Sequence, residues 1–284
     1  MENLYTQIRH LMDDSNYNEA LKMCEEALIN HPDDSVLKNF KTDISLVVDN
    51  QSSILKANDN EPFLKEMFGE YKVVEDNVSE GEMLKLLETR YKEDAEHLDA
   101  LNLFALCRQY HEHGCQITNE DLDFLGLIYE LSNKSQISYL GIYMDRINLI
   151  DYTGNQLTIR FKNNERPDYI HDLYNQIYEE SSKIISRMPV SWQNRETTIP
   201  VRNIRFTFLT SSGTVCTSGP IRQMCDEAFS LTGGLTDLIF EMQAIVIDII
   251  NGNLKSPDFT QETSLYVTQT GAKHRDIVIE RKKA

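Results

Sequence analysis

The apolar pattern of this 284-residue chain changes period near Asn133, and that change does most to fix the fold class. Upstream, apolar residues recur at three- and four-residue spacing, as on helices with one buried face. Downstream, short β-rich runs lie between turn residues, as in hairpins. Residues 147–152 (INLIDY) and 156–161 (QLTIRF) flank Thr153-Gly154-Asn155, a three-residue loop with glycine available for positive φ. NIRFTFLT at 203–210 alternates Ile204, Phe206 and Phe208 with Arg205 and Thr207, and Ser211-Ser212-Gly213 turns it into a partner run at 214–217. Ser138 to Met144 fits a further strand or a helix.

Each hairpin is followed by a helix. Pro167 opens one that runs to about Met188, with Ile170, Leu173, Ile177 and Ile184 inward. Pro220 opens another, IRQMCDEAFSL, at a position where its missing N–H costs nothing. Gly233-Gly234 breaks it, and Leu235 to Ile250 forms a strongly apolar helix whose broad face takes in Phe240 and Ile247. The order suggests a duplicated ββα unit, a four-stranded antiparallel sheet with helices on one face. The fold class expected is α+β, with an all-α N-terminal part.

Residues 4–13 place Leu4, Ile8 and Leu11 on one helical stripe, and Tyr17 through Ile29 repeat it with Tyr17, Ala20, Leu21, Cys24 and Ala27. Pro32 ends the second helix. The string NYNEALKMCEEALINHPDD resembles the second half of a tetratricopeptide repeat through Tyr17, Ala20, Ala27 and Pro32, and the preceding helix fits the first half. The resemblance covers residues 3–34. It implies a helical hairpin that stacks on neighbours and presents a groove for a peptide or protein. No second copy follows 34 residues later, so residues 35–48 read as one capping helix rather than the next repeat of an array.

Four segments result: 1–50, a TPR-like hairpin plus capping helix; 63–135, helical; 136–256, α+β; and 257–284, a hairpin or basic tail. Between the first two, residues 49–62 read as an Asn/Asp/Ser-rich linker. In the helical segment, Ser79 and Glu82 form a capping-box signature for one helix running towards Tyr110. Thr118 and Asp121 resemble a second cap, before Leu122, Leu125 and Ile128/Tyr129.

Charge narrows the function classes. The chain carries −17, and residues 1–150 hold 29 acidic against 13 basic side chains, so nearly all the excess lies in the first half. Binding nucleic acid through overall charge is disfavoured, because neutralising phosphates needs surplus Lys and Arg. The basic C-terminal tail (Lys273, Arg275, Arg281, Lys282, Lys283) is the one place where such contact is plausible. No run is long and apolar enough to span a bilayer, and the first ten residues lack a signal-peptide pattern. Five scattered cysteines read as reduced thiols in a cytoplasm.

Two sets of side chains could carry metal chemistry. Cys107, His111, His113 and Cys115 offer two thiolates and two imidazoles, a donor set suited to tetrahedral zinc, at a spacing that matches no common finger. Asp258, Glu280 and Lys282 loosely resemble the PD-(D/E)xK nuclease signature, in which an acidic pair holds Mg²⁺ and lysine stabilises the attacked phosphate. No cofactor-binding fingerprint occurs.

The expected function is therefore non-enzymatic: a cytoplasmic adaptor or regulatory subunit. It would recognise a protein partner through the N-terminal helices at Tyr5, Tyr17 and Asn18, and dock or homo-oligomerise through the α+β half at Phe240 and Ile247. A metal-dependent hydrolase or nuclease using either set above is the rival, and an acidic regulator that mimics nucleic-acid charge is a third reading.

Overall fold

The computed structural model describes residues 2–13, 16–51, 54–56, 62–75, 79–97, 99–115, 124–133, 136–192, 196–226, 230–269 and 271–282. The expected cap at Thr118 and Asp121, Leu122, half of the 49–62 linker and Lys283 lie outside these residues. No helix among them is long and apolar enough to cross a membrane.

Three helices come first: α1 (Glu2–Asp13), α2 (Tyr17–Asn30) and α3 (Ser35–Gln51). They run up, down and up, and bury Ile8, Tyr17, Ala20, Cys24, Leu37 and Ile44 in a core of their own. Pro32 lies in the turn that separates α2 from α3, as its missing N–H requires.

The next segment departs from the sequence reading in two ways. In place of one long helix there are two, α5 (Glu80–His97) and α6 (Ala100–Glu112), preceded by the short α4 (Pro62–Met67). Ser79 and Glu82 cap α5 as expected, with Ser79 N–H and Oγ both donating to Glu82 (3.2 and 2.6 Å). Asp99 caps α6 separately by accepting from Asn102 N–H (3.2 Å), which is why the chain restarts there. The second correction concerns residues 124–133, which form strand β2 (Phe124–Asn133) and not a helix. β2 lies inside the sheet and is buried on both faces, so its apolar run loses the alternation that marks a half-exposed strand.

The main sheet has eight strands in the order β8-β7-β2-β3-β4-β5-β10-β9. β3 (Gln136–Tyr143), β4 (Arg146–Ile150) and β5 (Gln156–Phe161) continue from β2 as a meander. After α7 (Asp168–Ile185), the hairpin β7 (Asn203–Thr210) and β8 (Gly213–Pro220) adds antiparallel to β2 at one side. After α8 (Ile221–Met224) and α9 (Gly233–Ile250), the hairpin β9 (Phe259–Val267) and β10 (Lys273–Arg281) adds at the other, β10 running parallel to β5. Every other pairing is antiparallel. A separate two-stranded ladder joins β1 (Ile54–Lys56) to β6 (Thr198–Pro200).

The α+β class and its antiparallel-dominated sheet agree with expectation; the strand count and coverage do not. Both ββα successions are present, but they sit inside one eight-stranded sheet with helices on both faces. α7 and α9 cover one face over Leu127, Tyr129, Leu140, Phe206 and Ile277. α4 and α6 cover the other over Leu125, Ile128, Tyr139 and Ile150. Residues 257–282 are an integral hairpin of that sheet. The helix after Pro220 stops after one turn, because Thr232 and Thr236 hydroxyls both donate to the Met224 carbonyl (3.1 Å each).

Two buried features hold the centre together. Glu130 and Arg205 face each other across β2 and β7, with side chains 0% and 2% exposed and two parallel N–H···O bonds of 2.5 and 2.6 Å. Burial alone would pull the Arg205 guanidinium's pKa down, but the Glu130 hydrogen bonds outweigh it and hold it above its ordinary value. Four residues back along β2 from Glu130, the Tyr143 ring lies over Gly126 and Gly141, where an added Cβ would come within 2.5 Å of its atoms, and its hydroxyl donates to the Met67 carbonyl.

Removing one partner of a buried pair leaves an unpaired charge. Arg205→Met alone should lower unfolding free energy by about 3–5 kcal/mol, and Arg205→Met with Glu130→Leu should recover most of that. Urea unfolding of the three proteins measures it; equal loss in the single and double variants would contradict the pairing. Gly141→Ala should cost about 1–3 kcal/mol through overpacking against Tyr143, read by the same titration.

Candidate interaction unit and the cleft at its base

The three N-terminal helices contact the rest of the chain at a base formed by the adjoining ends of α1 and α2 and by Asp43 of α3. α1 ends and α2 begins at that base, where Tyr17 Oη donates to Gln223 Oε1 (3.1 Å) and Gln223 Nε2 donates to the Met12 carbonyl (2.9 Å). Arg222 forms an ion pair with Asp43 of α3 alongside. The opposite end, where α2 turns into α3, is the far tip of the unit. It carries Ile29 at 80% exposure and Val36 at 39%.

Tip geometry is fixed by one carboxylate. Asp34 caps α3 by accepting from Val36 and Leu37 N–H (2.9 and 3.0 Å), and Tyr5 Oη donates to its other oxygen (2.6 Å). The Tyr5 hydrogen bond first, then the Leu37 N–H, holds the Asp34 carboxyl below its ordinary range, and the same bond raises the Tyr5 phenol.

At the base, between the helices and the sheet end where β2 finishes and β7 begins, lies a cleft of about 400 Å³. Its walls are largely apolar: Met12 and Tyr17 from the helices, Leu131, Val201, Pro220 and Ile221 from the body. Two guanidinium groups, Arg202 and Arg222, and one carboxylate, Asp43, also line it. Arg202 adopts a left-handed backbone, φ +62°, which side-chain-bearing residues seldom occupy. Its N–H donates to the Ser132 carbonyl (3.2 Å) and its own carbonyl accepts from Ile221 N–H (3.0 Å). Ser132, fully buried, places Oγ between the carbonyls of Pro200 and Asn203 and accepts from Asn203 N–H (2.9 Å). The Val201-Arg202 turn is therefore locked on both sides. Among the described residues, no carboxylate lies within ion-pair distance of Arg202, whose side chain is exposed.

The residues singled out in the sequence are scattered. Tyr17 is 4% exposed and serves the chain's own base contact. Tyr5 is half-buried on Phe40 and Asp34. Asn18 is exposed beside the base. Phe240 and Ile247, 40% and 57% exposed, lie on α9, with the Phe240 ring edge-on to Tyr129.

The metal candidates do not gather. Cys107 is buried in the core under the sheet, and His111 is exposed and stacked on Trp192 at 5.3 Å. His113 and Cys115 follow in the turn closed by Gly114, whose φ is +75°. Among the described residues, no three His, Cys, Asp or Glu side chains converge as metal ligands. Glu280 pairs with Lys162 (2.8 Å), while Lys282 donates to the carbonyls of Pro257 and Asp258 through Nζ and N–H. The acid–lysine set is thus the open end of the β9–β10 hairpin, away from its turn. Arg275 donates to the Ile250 carbonyl, and Arg281 lies over Phe259 near Glu165, so two cations of the basic tail are engaged within the chain.

Sequence reasoning missed Ser132, Arg202, Ile221 and Gln223. No local signal marks them, since each acquires its place through contacts distant along the chain.

The lowered Asp34 pKa sets the sign of an acid effect. A depressed folded-state value means a contribution present above the unfolded pKa and lost as pH falls through the folded one, below the ordinary carboxylate range. Far-UV circular dichroism should therefore show Asp34→Ala less stable than the parent at neutral pH, with the gap closing in acid. A gap that persists unchanged in strong acid would count against this role.

Comparison with known proteins finds no matching family model, no matching curated protein and no matching solved structure.

Proposed function

We propose that this chain is a protein–protein interaction subunit, an adaptor or regulatory component of a larger cytoplasmic assembly, whose projecting helical unit receives the partner. The observation that carries the reading is the far tip of that unit. Ile29 and Val36 stand exposed there, at the end remote from the body, on helices whose inward faces already close a core. Large aliphatic side chains exposed together at a projecting corner gain by covering one another with a partner's surface. The TPR-like pattern at Tyr17, Ala20, Ala27 and Pro32 supports the same role, and the five free cysteines suit a reducing compartment. Phe240 and Ile247 offer a second contact for docking or self-association through the α+β half.

Ile29→Glu combined with Val36→Lys tests the reading. The double variant should keep the parent's circular dichroism spectrum and lose the partner chains that co-purify with the parent. Recovery of the same chains in the same amounts would overturn it.

A further inference from the structure

The cleft at the base has a chemistry of its own, independent of what the tip binds. We propose that it is a receptor site for a small amphipathic acid, a carboxylate carried on an apolar chain. Such a ligand would set how firmly the helical unit is held to the body.

Three observations converge on that class. First, the cleft's 400 Å³ lies in the range of small-molecule sites. Second, its charges do not balance. Arg222 is taken by Asp43, whereas Arg202 has no carboxylate within ion-pair distance among the described residues, so one added negative charge is complementary. Guanidinium and carboxylate match as a two-bond fork. Third, Arg202 is built into place. Its left-handed backbone is strained, and the buried Ser132 network and the Ile221 N–H hold it there. Val201 is buried directly beside it, so apolar wall and cation adjoin, as the two ends of an amphipathic acid require.

The position supplies the regulatory consequence. Met12 and Tyr17 belong to the helical unit, and Leu131, Arg202 and Ile221 to the body. An occupant touching both sides adds contact to a junction that Tyr17–Gln223, Gln223–Met12 and Arg222–Asp43 also join. Ligand that binds only the docked arrangement shifts the unit toward it in proportion to occupancy.

The test uses the full chain labelled with ¹³C-methyl methionine, titrated with decanoate and, separately, with decan-1-ol, while the Met12 methyl resonance is followed. Decanoate should shift it saturably, at least about tenfold more tightly than the alcohol, a difference of about 1.4 kcal/mol. Arg202→Gln should erase that preference. Arg202→Gly, which removes the guanidinium and relieves the backbone strain together, should stay folded and also lose it. Amide exchange in α1 and α2 should slow with decanoate in the parent only. No saturable shift, equal affinity for acid and alcohol, or a preference surviving in a folded Arg202→Gly would each overturn the proposal. These outcomes are separate from loss of partners in the tip variant, so either idea can fail alone.

Discussion

Two full charges sit in the middle of this sheet, and the structure tolerates them because they face each other. Glu130 and Arg205 are stripped of water and held by paired hydrogen bonds, an arrangement that leaves neither a free alternative. The pair fixes the register of β7 on β2. A slip of one residue would turn Arg205 into the apolar layer beneath α7 and α9, where Ile204 and Phe206 now pack. With the register fixed, Ser132 falls opposite Asn203 and its hydroxyl can tie down the turn before β7. That turn carries Val201 and Arg202, so the cleft's lip inherits its rigidity from an ion pair two residues further along the strand.

Much of this fold was legible in the sequence where the pattern is local. The helices of the N-terminal unit followed from apolar spacing and from Pro32. The hairpins β4–β5 and β7–β8 followed from their turns, which do use Gly154 at φ +81° and Gly213 at φ +138°. β2 was illegible because a strand covered on both faces and a buried helix present the same unbroken apolar run. The coverage of the second face was missed for a related reason: with Leu125 and Ile128 read on a helix, nothing set α4 and α6 against them and Ile150. The cleft is a harder case. Met12, Leu131, Arg202 and Ile221 come from four separate stretches, and no spacing rule connects them.

The charge asymmetry noted in the sequence acquires a place as well. Of the acidic excess of residues 1–150, the six described helices carry −6 and the residues outside them the larger part. The nearly balanced second half supplies most of the sheet and the guanidinium groups at the cleft. Arg222 on Asp43 is a contact between these two halves. Electrostatics thus favours the helices resting where they do without fastening them, since an exposed ion pair contributes little by itself.

The parallel ladder between β5 and β10 governs how the molecule is assembled in time. Residues 156–161 must wait for residues 274–279 before their outer hydrogen-bonding groups are met, and three α-helices and another hairpin intervene. Until then, β5 is an open border of a partly built sheet, ready to pair with any passing strand. Pairings between sites so distant along a chain are slow to close. A nascent chain of this protein therefore passes through a stage in which this border stands open, and the β9–β10 hairpin acts as an internal stopper that seals it once residues 274–279 have been made.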